Sequence, residues 1–279
     1  MRRCHLQYYS AIPRSALALT GLLILLFFLF RPAFVGAEEL DVNATKVVRV
    51  AYVEFPPMTF RNALGEPAGE FVDITRKVAA EAGYELEFIY LPVARTYLYL
   101  QNGTVDLWLG LTGTPALRDD VLESWISPIP VELSAWYREG TASLDHMDQL
   151  HGQTVILIGG YTYGGLRSWL EDQADIRVTE APNHRSAVDM LKRKRGDYLL
   201  DYRQPVREAL TQPSDVIVQE AELRTRNTAW LFSLASPRAS ILREAFDDAY
   251  YRLAERGEVP SVRRLEKTFV IPGFPEEYR

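Results

Sequence analysis

The stretch VDLWLGLTGTPALR, residues 105–118, is the most informative part of this chain for its expected fold. Its apolar run Leu107–Leu111 lies between turn signals, which is typical of a buried strand in a parallel sheet. Open α/β sheets bind their ligands just beyond the carboxyl ends of such strands. The turn that follows supplies the hydroxyls of Thr112 and Thr114, and Arg118 adds planar donors that suit a carboxylate. The sequence therefore predicts a small-ligand site here, with a solvated loop and a surface arginine as the alternative.

The segments before this stretch alternate strand and helix patterns. Alternation of apolar and polar residues over Lys46–Val53 and Tyr84–Tyr90 predicts two strands. Helical spacing of apolar residues predicts a helix over 71–82 and a shorter one over Val93–Leu100. The resulting order β-α-β-α-β is typical of a parallel sheet with right-handed crossover connections.

The second half of the chain repeats this order. Its predicted elements are strands over Val131–Tyr137, Thr154–Ile158, Arg177–Glu180 and Tyr198–Leu200, and helices over Leu166–Asp172 and His184–Lys194. We expect a last strand, Thr228–Ala235, and the amphipathic helix Ala239–Leu253 to return to the first unit, followed by a short helix over Val262–Phe269. The fold class that we predict is α/β, with two lobes, each a mainly parallel sheet flanked by helices, and two crossing hinge segments.

Composition and charge narrow the function. The net charge of -6 and the absence of a basic stripe disfavour nucleic acid as a partner. The four histidines are scattered without metal-ligand spacing, so we expect no metal site, and no motif indicates a cofactor. They are His5, His146, His151 and His184.

The N-terminus has the pattern of a secretory signal peptide. Arg2-Arg3 precedes the apolar stretch Ala16–Phe30, and Val35-Gly36-Ala37 offers the small residues of a cleavage site. The apolar stretch is short for a helix that spans a bilayer, which needs about 20 residues. We therefore predict cleavage after Ala37 and export to the periplasm, with an uncleaved anchor as the alternative. Cleavage would also remove Cys4, the single cysteine, and leave no disulfide.

Several short motifs, in the same order along the chain, resemble those of one protein family. Phe55-Pro56-Pro57-Met58 resembles the family's Tyr-x-Pro-Phe element, and Gly69–Asp73 its Gly-Phe-Asp-Val-Asp helix start. Gly103–Asp106 matches its Gly-x-Val-Asp strand, and Leu150–Val155 its Leu-x-Gly-x-x-Val motif. Over Lys46–Phe269 the chain thus resembles the solute-binding proteins of amino-acid-type ABC transporters, family 3, which have the type II periplasmic-binding-protein fold.

This resemblance implies a set of ligand-binding residues. Phe55 takes the stacking position, with a core aromatic as the alternative, and Arg118 lies twelve residues after Asp106, at the family's carboxylate-binding distance. Thr112 and Thr114 would donate beside it. Helix N-termini bind anions, which suggests Tyr161 and Thr162 in the loop after Gly160. Asp201, one residue before the family's ammonium-binding position, is either a ligand partner or a surface charge.

The resemblance also implies a domain division and a function. After a signal peptide over 1–37 and a linker over 38–45, the first lobe would comprise 46–133 plus 229–279, and the second 134–228. We expect a monomeric periplasmic venus-flytrap protein that has no enzyme activity and delivers a small carboxylate ligand to a membrane ABC transporter permease. Two alternatives stay open. One is an enzyme on this fold, similar to dehydratases of prephenate or arogenate, with Glu54 or Asp201 as acid or base. The other is a ligand-sensing module for a separate membrane partner.

Overall fold

The strands and helices of the computed structural model lie within residues 46–211, 215–261 and 269–278, which are the residues that the structure describes. The strands are β1 Val47–Tyr52, β2 Phe60–Arg61, β3 Pro67–Ala68, β4 Glu85–Tyr90, β5 Leu107–Leu111, β6 Val121–Glu123, β7 Pro130–Arg138, β8 Thr154–Ile158, β9 Arg177–Ala181, β10 Tyr198–Tyr202 and β11 Val218–Ser233. The α-helices are α1 Glu70–Ala82, α2 Val93–Gln101, α3 Leu166–Asp172, α4 His184–Lys192, α5 Arg203–Ala209 and α6 Ala239–Glu255. None of these helices is long and apolar enough to cross a membrane.

Three predicted segments fall outside the described residues. They are the signal peptide over 1–37, the linker over 38–45, and the predicted helix Val262–Phe269 except for its last residue. The cleavage site after Ala37 therefore stays a prediction.

The strand predicted from the opening stretch forms the centre of the first part of the sheet. β5 pairs with β1 in parallel and with β11 antiparallel, and β4 extends the sheet beyond β1. Leu107 and Leu109 on β5 are buried, as the apolar run requires. Position 110 of β5 requires a glycine, because a Cβ atom there would overlap the Leu231 side chain and the Trp108 indole.

The second part of the sheet has the strand order β11-β7-β10-β8-β9. β11 belongs to both parts: residues 218–227 pair with β7, and residues 228–232 pair with β5. At the crossing, the Thr228 hydroxyl donates to the Ile129 carbonyl (2.8 Å) and accepts from the Ile129 N–H (3.0 Å). The last strand was predicted to begin at Thr228, but it begins at Val218. Its first half carries charged residues instead of an apolar pattern, so periodicity did not reveal it.

Three apolar cores of described residues pack against the sheet. The first contains Trp230 and Phe246, which α6 and β11 bring together, and the second contains Trp136 and Leu199 around β7 and β10. The third contains Trp108 of β5 with apolar residues of β1 and α2. Each core is built from the buried faces of strands and the helices that cover them.

The described C-terminal residues 269–278 pack against the second part of the sheet, whereas the predicted lobe division assigned them to the first lobe. Ile271 and Phe274 belong to the second core. Backbone hydrogen bonds hold this segment there, because the N–H of Thr225 donates to the Phe269 carbonyl (3.0 Å) and that of Ile271 to the Leu223 carbonyl (2.8 Å). Their register on β11 could not be inferred from local sequence.

Candidate functional site

A small pocket of about 60 Å³ lies beyond the carboxyl ends of β1 and β5. β5, the loop after β8, the end of β10 and the middle of β11 all contribute to its wall. The described side chains that line it are mainly aromatic and aliphatic, and one of them, an arginine, is charged. The lining residues are Val53, Phe55, Met58, Thr59, Phe71, Val93, Tyr97, Trp108, Leu109, Gly110, Leu111, Thr114, Tyr161, Thr162, Tyr163, Gly164, Tyr202, Arg226 and Thr228.

The charged group of the pocket is Arg226, and only 5% of the surface of this residue is exposed to solvent. Its Nη2 donates to the Thr112 carbonyl and to the Thr114 hydroxyl, the latter at 3.3 Å. Its Nε–H is buried and has no hydrogen-bond acceptor among the described residues, and none of their carboxylates forms an ion pair with it. A buried guanidinium with unmet donors is a site for an anionic ligand.

A second buried arginine strengthens the positive charge here. Arg224 lies two residues earlier on β11, and none of the described carboxylates pairs with it. Burial and the nearby charge of Arg226 lower the pKa of Arg224 to about 10. The region therefore carries two cations that acidic side chains of the described residues do not balance.

The glycine-rich loop over Gly159–Gly165 is shaped around Arg226. Gly164 has φ +68°, and a Cβ atom there would overlap Nη1 of Arg226. Tyr163 takes φ +52°, a rare conformation for a side-chain-bearing residue, and its hydroxyl accepts from the Ile158 N–H at 2.7 Å. The glycine thus gives the guanidinium room, while the tyrosine fixes the path of the loop.

Aromatic rings form much of the remaining wall. Phe55 meets Tyr202 edge to face at 4.8 Å between ring centroids, and Tyr202 stacks on Tyr163 at 6.0 Å. Tyr97 meets Trp108 at 5.6 Å. The indole Nε1–H of Trp108 is buried without a hydrogen-bond acceptor among the described residues. Trp108 belongs to a core cluster and also lines the pocket.

Of the predicted ligand-binding residues, the structure brings four into this pocket. Phe55, Thr114, Tyr161 and Thr162 line it. Thr112 contributes from outside the lining, because its carbonyl accepts the hydrogen bond from Arg226.

Arg118 and Asp201 are not among the lining residues. After the 3-10 turn Pro115–Leu117, the side chain of Leu117 is fully buried, and Arg118 is exposed outside the pocket. The spacing that suggested Arg118 fixes its distance along the chain, but the turn sets which neighbour faces inward. The cation of the pocket is therefore Arg226. It lies in the first half of β11, which has no apolar alternation, so no sequence pattern pointed to it.

Asp201 is fully buried beneath the pocket, so it is not the surface charge of the alternative interpretation. Its carboxylate oxygens lie 2.7 Å from Nδ1 of His184 and 2.8 Å from the N–H of Tyr202. Burial raises the pKa of Asp201, and the bond to His184 opposes that rise. Both of its oxygens are thus occupied within the protein.

The other ring nitrogen of His184, Nε2, lies 3.3 Å from the Tyr161 hydroxyl, which donates to the Glu54 carbonyl at 2.5 Å. Burial raises the pKa of the Tyr161 phenol well above its usual value, so the phenol keeps its proton at neutral pH. This chain of hydrogen bonds links the loop after β8 to the segment after β1. Its function is to position Tyr161 in the pocket wall.

A second cavity, of about 280 Å³, lies on the other side of Tyr161. Its wall includes Glu54, Tyr90 and His184, and the Glu54 side chain is exposed there. Within residues 46–211, 215–261 and 269–278, no three His, Cys, Asp or Glu side chains cluster closely enough to hold a metal ion.

Comparison with known proteins identifies the family and the fold. The sequence profile of the bacterial extracellular solute-binding proteins, family 3, matches residues 48–263. No curated protein sequence matches the chain.

Many solved structures resemble the protein. A histidine kinase sensor domain similar to periplasmic binding proteins has 18% identity and a TM-score of 0.64, covering 76% of this chain and 92% of its own. The GluR0 ligand-binding core from Nostoc punctiforme, in complex with L-glutamate, has 21% identity and a TM-score of 0.62, covering 76% and 94%. A substrate-binding protein of an ABC uptake transporter from Streptococcus pneumoniae, with bound histidine, has 21% identity and a TM-score of 0.62, covering 77% and 90%. The predicted type II periplasmic-binding-protein fold is thereby confirmed.

Proposed function

Because this chain belongs to the bacterial extracellular solute-binding proteins of family 3, we propose that it captures a small carboxylate-bearing solute beside Arg226. The solute would be an amino acid or a related carboxylate. L-glutamate and histidine, the ligands of two structural neighbours, both carry such a group.

The observation that carries this proposal is the unmet Nε–H of Arg226. Burying an ionised group without a partner is costly, and a carboxylate is the partner that matches a guanidinium best. In this proposal the ligand carboxylate binds Nε and Nη1, while the bonds from Nη2 to Thr112 and Thr114 hold the guanidinium in place. The rings of Phe55 and Tyr161 would enclose the apolar part of the ligand.

The ligand would also favour closure of two lobes. We propose lobes close to those predicted from sequence, 46–133 with residues from 229 onward and 134–228, with 269–278 moved to the second. Phe55 and Trp108 would bind from the first lobe and Tyr161 from the second. Contacts from both sides are complete only in the closed form, so ligand shifts the population toward it.

We further propose that the closed, monomeric protein delivers its ligand to an ABC transporter permease in the periplasm. The residues of the pocket favour a binding protein over an enzyme. Glu54 and Asp201, the two acid–base candidates, do not line it, and the oxygens of Asp201 are occupied by His184 and Tyr202. Purified protein should therefore not turn over prephenate.

The test is calorimetric titration of Arg226 and Arg118 variants with a carboxylate found by a thermal-shift screen. Arg226→Ala should lower affinity by about 30-fold or more, since removing one partner of a buried charge pair costs roughly 2–5 kcal/mol. Arg226→Lys should also bind weakly, because an ammonium lacks the planar fork. Arg118→Ala is the matched control and should bind as the wild type does.

Circular dichroism would establish that each variant is folded, and the lysine variant keeps the test valid if the alanine variant does not fold. Wild-type affinity in folded Arg226→Lys, or a large loss in Arg118→Ala, would contradict the proposal.

A further inference from the structure

The pocket's unmet hydrogen-bonding groups are of one kind. Arg226 Nε and Trp108 Nε1 are its buried polar atoms without a partner among the described residues, and both are donors. A ligand that completes the pocket must therefore supply acceptors.

The threonine hydroxyl groups of the pocket already have partners within the protein. Thr114 donates to the Leu111 carbonyl at 3.0 Å and accepts from Arg226. Thr228 both donates to and accepts from the backbone of Ile129. Thr59 donates to the Val53 carbonyl at 2.8 Å, and Thr162 lies 3.4 Å from the Tyr97 hydroxyl.

Within the described part of the chain, the pocket also lacks the acidic group that a ligand ammonium needs. None of its described lining residues is an aspartate or a glutamate. Asp201, the residue expected for this function, is enclosed by His184 and by the backbone of Tyr202. Glu54 lies on the second cavity, across Tyr161 from the pocket. The charged side chain among the described lining residues is Arg226, which repels an ammonium.

Resting on the proposed function, we infer that the ligand is an apolar carboxylate without an α-ammonium group, not a zwitterionic amino acid. Arg226 binds its carboxylate, and the Trp108 indole N–H donates to a ligand oxygen. Burying an ammonium in this pocket without a charged partner would lower affinity by at least about 30-fold.

The test compares pairs of ligands that differ only in the α-ammonium. The pairs are propanoate and L-alanine, 4-methylpentanoate and L-leucine, and 3-phenylpropanoate and L-phenylalanine. In calorimetric titration at neutral pH, at least one carboxylate should bind, at least about 30-fold more tightly than its amino acid. Arg226→Lys should bind that carboxylate only weakly.

Two outcomes separate this inference from the proposed function. If binding depends on Arg226 but the amino acid binds as tightly as its matched carboxylate, or more tightly, the inference alone is overturned. Loss of amino-acid binding in Glu54→Gln would then identify Glu54 as the partner of the ammonium. Failure of all three carboxylates and all three amino acids to bind at millimolar concentration would overturn both.

The hydrogen bond from the Trp108 indole N–H to the ligand can be tested separately. Trp108→Phe keeps an aromatic ring but removes the N–H, so carboxylate affinity should fall about 10-fold. Trp125→Phe, at a side chain 72% exposed, is the matched control and should not change it.

In ¹⁵N-labelled protein, five indole N–H signals are expected, one for each tryptophan. The signal missing from Trp108→Phe should be the one that moves most when carboxylate is added to the wild type. An unmoved signal, or unchanged affinity in folded Trp108→Phe, would refute this assignment of Trp108.

Discussion

Substituting Gly164 by alanine should disturb Arg226 without touching the arginine itself. Gly164 has φ +68°, so any L-residue there pays about 1–2 kcal/mol for the left-handed backbone. The added Cβ would also overlap Nη1 of Arg226, while Nη2 is held by Thr112 and Thr114. The guanidinium must move, and losing one hydrogen bond to a charged group costs about 1.5–3 kcal/mol more.

Gly160→Ala provides the matched control, because it isolates the backbone cost. Gly160 lies in the same loop with φ +79°, and a Cβ there would meet no atom within 4 Å. Urea unfolding should therefore show a loss of about 1–2 kcal/mol for Gly160→Ala and a larger one for Gly164→Ala. Carboxylate affinity should fall at least about 10-fold in Gly164→Ala and stay near wild type in Gly160→Ala. Equal losses of stability and affinity in the two variants would refute the packing of Gly164 against the guanidinium.

Three further predictions concern the groups around the pocket. Burial raises the pKa of Asp201, so this group stabilises the folded protein most below its pKa in the unfolded chain, and the stabilisation is lost as the pH rises through its pKa in the folded protein. Urea unfolding of Asp201→Asn from acid to neutral pH should lack that loss of stability. A pH profile of stability equal to that of the wild type would contradict this prediction. Tyr161→Phe removes the donor to the Glu54 carbonyl and should cost about 1 kcal/mol, whereas Tyr251→Phe, at an exposed ring, should cost nothing measurable by thermal unfolding. Arg203→Gln leaves three glutamates of β7 and β11 without their shared cation, so it should cost about 1–3 kcal/mol, and an effect that does not shrink with added salt would argue against ion pairing.

Local patterns in the sequence were enough to predict the fold class and most of the regular elements. The apolar runs at Leu107–Leu111 and Thr154–Ile158 form the buried strands that their patterns predicted, and both bounds agree with the structure. Burial of apolar residues is a local property of a strand, so periodicity reveals it. The ordered motifs led to the family that the profile match confirms.

Local sequence did not reveal strands and helices whose stability comes from partners elsewhere. The first half of β11 carries Glu220 and Glu222, which share Arg203 across 17 and 19 residues, so its charges looked like those of a loop. α5, which begins at Arg203, was not predicted either.

Which side chains form the pocket depends on contacts between residues that are distant in the sequence. Arg118 and Arg226 are both arginines near a threonine-rich turn. The turn at Pro115–Leu117 leaves Arg118 exposed, whereas Arg226 is buried where β11 pairs with β7. Asp201 was a reasonable candidate by spacing, yet His184, 17 residues away, occupies its carboxylate. The spacing of residues fixes their distance along the chain. The direction of each side chain depends on strand pairing and on turns, and these depend on contacts between distant residues.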